Sequence, residues 1–174
     1  ERVDLCCAAL TSAVACKAEE ALDAAIAEAE AFGWGREGAE PPVAGVELVS
    51  DAKALKQRVQ ACEAALAKAL QVMASGMLGD ALASAAAFGY GEASADPPVA
   101  GVAVVAKAAA LKERVDACEK GLTKAVHVMD SEQLGSAIQA GLDFDYGNAA
   151  TEPPVAGVAV MAQAAALKER VDLC

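Results

Sequence analysis

Leu111-Lys112-Glu113-Arg114-Val115-Asp116-Ala117-Cys118 returns one period later as Leu167–Cys174, LKERVDLC, and one period earlier as Leu55–Cys62, LKQRVQAC. The offset is 56 residues each time, and a second string obeys it without a gap: Pro41–Val46, PPVAGV, recurs at Pro97–Val102 and at Pro153–Val158. Glu1–Cys6 copies Glu169–Cys174, ERVDLC. An ungapped internal period means that one supersecondary unit is laid down repeatedly on a fixed geometry. Around the first string, Ala108, Leu111, Val115, Cys118, Leu122, Ala125 and Met129 alternate spacings of three and four, which predicts one apolar stripe on a long helix. The opposite face pairs Lys112 with Asp116 and Asp116 with Lys120, charges four residues apart that each contribute only a few tenths of a kcal/mol and mark a solvated face.

Past Met129 the phase breaks. Leu134, Ala137, Ile138, Gly141 and Leu142 form a second, shorter stripe, with Asp130-Ser131 placed to cap its start. It should close near Phe144, where the copies read Phe32-Gly33-Trp34-Gly35, Phe88-Gly89-Tyr90-Gly91 and Phe144-Asp145-Tyr146-Gly147. The Pro-Pro pair that follows cannot lie inside a helix, so the next long helix begins at Pro98 at the earliest, with Gly101 able to delay it. Composition agrees with a helical chain. Of 174 residues, 56% are hydrophobic but only 3% aromatic, and alanine, the strongest helix former, makes up the excess.

The expected fold class is therefore all-α: tandem helical repeats with a long and a short helix per unit, stacked as an elongated solenoid or bundle. The alternative is a spectrin-like end-to-end rod, whose mark is a long helix running unbroken from one bundle into the next. The repeats divide as 1–40 (partial), 41–96, 97–152 and 153–174 (partial), which reads as an excerpt of a longer array. In architecture the chain resembles α-solenoid and helical-hairpin repeat proteins.

The formal net charge of −11 argues against nucleic-acid and anionic-membrane partners, which call for basic stripes. No apolar run reaches the roughly 18 to 20 residues that span a bilayer. Cys6, Cys62, Cys118 and Cys174 share one repeat position on the apolar face, so they read as small buried hydrophobes in reduced form. Cys7 and Cys16 occur in the first copy alone, and Cys7 stands where the next copy has Glu63. His127 aligns with Ala15 and Gln71 and reads as a surface residue. The carboxylates from Asp143 to Glu152 lack the glycine register of a calcium loop, so neither a metal nor a cofactor is expected.

Phe32 with Trp34, Phe88 with Tyr90 and Phe144 with Tyr146 are the only Phe, Tyr and Trp residues in the chain. Their first expected role is to anchor the turns. They are also the candidate docking residues for protein partners. No nucleophile, base and orienting partner recur together, and the expected role is non-catalytic. It is that of a structural or scaffold segment, a filament or assembly element in a cytoplasmic or cytoskeletal setting, whose partners are neighbouring repeats, other copies or other proteins. The alternative is a helical-repeat binding module for protein or peptide partners.

Overall fold

A computed structural model describes residues 2–35 and 45–173; Cys174 and the first Pro-Pro pair lie outside them. The described residues form seven α-helices and no strand. In chain order these are α1 (Arg2–Cys16), α2 (Glu19–Ala31), α3 (Val46–Val72), α4 (Ser75–Ala86), α5 (Val102–Val128), α6 (Ser131–Leu142) and α7 (Val158–Asp172). The long helices α3 and α5 start immediately after Gly45 and Gly101, so the glycine, and not the proline pair, sets the start.

The chain divides into two compact units, Glu1–Ala65 with Ala83–Val105 and Leu66–Leu82 with Ala106–Cys174. These divisions do not follow the repeat boundaries. In the first unit α1 packs against α2 and buries Leu10, Ala13, Leu22 and Ala29. Helix α2 lies antiparallel on the N-terminal part of α3: the Gln60 amide donates to Glu19 at 2.6 Å, Lys56 pairs with Asp23, and Lys53 meets Glu30 at 2.7 Å. The same helix then takes a second partner, because Arg58 lies over Phe88 and Glu63 accepts from Tyr90. In the second unit α6 packs against α7, and α5 is shared in the same way. Asp116 accepts from Ser75 at the start of α4, while Arg114 and Glu119 hold Phe144 and Tyr146 beyond α6. Each long helix is thus unbroken and serves both the short helix before it and the hairpin after it.

The buried stripe of α5 is Ala108, Val115, Cys118, Leu122 and Ala125. Each fully buried leucine or valine contributes about 1.5–3 kcal/mol relative to exposure. Two residues expected on this stripe leave it. Leu111, like Leu55 and Leu167, is only half-buried, because the helix meets its neighbours there through fully buried alanines, Ala52, Ala108 and Ala164. Met129 is 60% exposed and adopts φ +57°. It turns the chain back within two residues, as Lys17 and Met73 do at the same repeat position, each donating its N–H to the carbonyl four residues earlier in the left-handed closing motif. The expected cap of α6 is present: Asp130 accepts from the Gln133 N–H at 2.8 Å.

Candidate functional site

The three aromatic corners are built alike. After α2, Gly33 donates to the Glu30 carbonyl and Trp34 to the Ala29 carbonyl, the paired bonds of a Schellman closure. Tyr90 and Tyr146 repeat the long bond, to the carbonyls of Ala85 and Gly141. This closure throws the second ring of each pair inward. Trp34, Tyr90 and Tyr146 are buried, and each lies against the glycine that precedes the next helix. A Cβ placed on Gly45 would sit 2.4 Å from Trp34, and one on Gly101 or Gly157 would sit 2.2 Å from the tyrosine. The repeated PPVAGV string therefore carries glycine at its fifth position because a ring occupies the side-chain space.

The second and third corners are closed from the other side by a further backbone bond. Gly91 donates to the Ala100 carbonyl and Gly147 to that of Ala156, both at 2.9 Å. The same turn then ties to the last residue of an earlier helix, with Ala100 donating to the Cys16 carbonyl of α1 and Ala156 to the Val72 carbonyl of α3.

Polar contacts distinguish the corners. The Tyr90 hydroxyl donates to Glu63, and Tyr146 to Glu119 at 2.7 Å. Burial first, and then the carboxylate that accepts the hydrogen bond, pushes both phenols well above their ordinary range, so they stay protonated donors. Among the described residues Trp34 has no such partner: its indole N–H is buried without an acceptor there. The outer ring of each pair stacks under an arginine, Arg58 at 4.6 Å from Phe88, Arg114 at 4.5 Å from Phe144 and Arg2 at 5.9 Å from Phe32.

These positions divide the six candidate docking aromatics. Trp34, Tyr90 and Tyr146 are internal anchors with no surface to offer a partner in the closed corner. Phe32, 43% exposed, and the half-buried Phe88 and Phe144 remain reachable. Sequence reasoning missed Glu63 and Glu119. The signal was present, since glutamate stands 27 residues before each tyrosine while Cys7 stands before Trp34, but nothing local marks that pair as a contact.

Beside the first and third corners runs the same groove, about 570 Å³ in each. In the first it is crossed by the Glu30–Lys53 ion pair; in the third, Leu142 and Ala165 replace these residues and the walls are mostly apolar, with Asp145 and Asn148 as the polar side chains.

Cys6, Cys62 and Cys118 are buried free thiols, and burial, reinforced by Glu63 and Glu119, pushes the latter two up in pKa. Cys7 and His127 are exposed. Among the described residues no three His, Cys, Asp or Glu side chains converge as a metal site would require, and no helix is long and apolar enough to cross a membrane.

Comparison with protein-family models, with curated proteins and with solved structures returned no match.

Proposed function

We propose that this chain is a non-catalytic spacer or assembly element, a segment whose repetition delivers length and whose outer surface meets other copies or other proteins. The observation that carries this reading is the sharing of α3 and of α5 between successive hairpins. Each unbroken long helix holds the short helix before it through one set of side chains and the corner after it through another. Stability in an array of this kind is close to a sum of unit and neighbour contributions, so units can be added without new chemistry. A cytoplasmic or cytoskeletal setting suits reduced, buried thiols and an acidic surface.

The test is to join two and three 56-residue units to the chain and to measure the maximum dimension by small-angle scattering. A constant increment per added unit supports the spacer. Dimensions that saturate while a peptide or small molecule binds tightly would transfer the case to the binding module.

A further inference from the structure

We propose that the corner at Phe32–Gly35 is a weak latch, the place where the array opens first, lifting Trp34 off Gly45 while the corners at Phe88–Gly91 and Phe144–Gly147 stay shut. Three observations converge on it. At the second and third corners the inner ring is locked by a hydroxyl donating to a glutamate of the long helix. At the first corner the ring is an indole whose N–H is buried and finds no acceptor among the described residues, and the repeat position that would supply one is the exposed thiol Cys7. The outer ring is looser too, with Phe32 43% exposed and Arg2 at 5.9 Å from it, against 4.6 Å and 4.5 Å at the other corners.

A buried donor without an acceptor loses its water on closing and recovers it on opening, so the open state is favoured relative to a satisfied corner. The large apolar face of the indole still seats on Gly45, which keeps the corner closed most of the time. The result is a local opening unit of lower free energy than its two equivalents. What it releases is the chain's single tryptophan, a ring with an apolar body and one polar edge, the type of side chain that anchors protein contacts. The inference concerns the closing of a corner and is independent of the spacer reading.

Native-state hydrogen exchange on the 174-residue protein tests it. The Trp34 amide, bonded to Ala29, is expected to exchange about tenfold or more faster than the Tyr90 amide, bonded to Ala85, after correction for intrinsic rates. The double variant Cys7→Glu, Trp34→Tyr is expected to bring position 34 within about twofold of Tyr90. Equal protection of the two amides in the unaltered chain, or an unchanged rate in the double variant, would overturn the latch and leave only fraying near a helix end. Should the double variant fail to fold, the reciprocal pair Glu63→Cys, Tyr90→Trp decides: it must loosen the second corner by a similar factor, and a second corner that stays protected overturns the proposal equally.

Discussion

Both ends of every hairpin are closed by residues in the left-handed region, yet they tolerate very different side chains. Where a long helix turns into a short one, the position holds Lys17, Met73 and Met129 at φ +51° to +57°. The first left-handed position of each corner holds Gly33, Gly89 and Asp145. Two further positions admit only glycine: Gly35, Gly91 and Gly147, and Gly45, Gly101 and Gly157. The backbone angle does not separate these groups, since all have positive φ. Space does. A Cβ on Gly33 would meet nothing within 4 Å, whereas one on Gly91 would lie 2.5 Å from Val105 and one on Gly101 2.2 Å from Tyr90. The left-handed angle costs an L residue roughly 1–2 kcal/mol, which this repeat accepts where no packed group fills the side-chain space. Collision with a packed ring or branched side chain it does not accept.

The contrast is broken or sharpened by a graded series of variants followed by urea denaturation. Gly101→Ala combines φ +85° with a collision against Tyr90 and is expected to lose about 3–5 kcal/mol, among the largest single-residue effects. A loss under about 1 kcal/mol would mean that the ring slides aside and that space is not the selecting factor. Tyr90→Phe keeps the ring on Gly101 but removes the donor to Glu63, and should cost about 1–2 kcal/mol. Gly33→Ala carries only the backbone penalty, about 1 kcal/mol, and a loss as large as that of Gly101→Ala would erase the distinction. Met129→Gly relieves a left-handed methionine that is mostly in water, and stability should rise by up to about 1 kcal/mol after the entropy of glycine is counted.

The smallest effect concerns another open position, occupied by Gln60, Asp116 and Asp172. Its partners are Glu19, Ser75 and Ser131, so the acid and the donor exchange sides between the first copy and the others. The Lys112 ammonium first, and then the Ser75 hydroxyl, holds the Asp116 carboxyl below the usual carboxylate range. A carboxyl depressed in the folded state contributes stability above its unfolded pKa of about 3.9, and that contribution disappears as pH falls through the lower folded value. An NMR titration should therefore place the Asp116 midpoint below that of an unfolded aspartate. Asp116→Asn should remove only a slight part of the acid sensitivity, because the pair is open to solvent and salt.

The period, the alternation of long and short helices, the buried cysteine position and the Asp130 cap were all legible in the chain alone. Each rests on hydrophobic spacing, intrinsic propensity or capping chemistry, which act within a few residues and so leave a local trace. Even there the trace was coarse: it put Leu111 and Met129 on the buried stripe, because periodicity counts residues and does not see where a neighbouring helix comes close or where the chain must turn. Which glycines are irreplaceable, which aromatics are anchors and which glutamates lock them were decided only by the fold. Those relations join residues 27 or 41 positions apart, through contacts that exist only once the corner has closed on the long helix. The single tryptophan shows the division most sharply. Its repeat position and the cysteine opposite were visible in the sequence as drift between copies. That the pair leaves a buried donor without an acceptor follows from how tightly the closed corner excludes water.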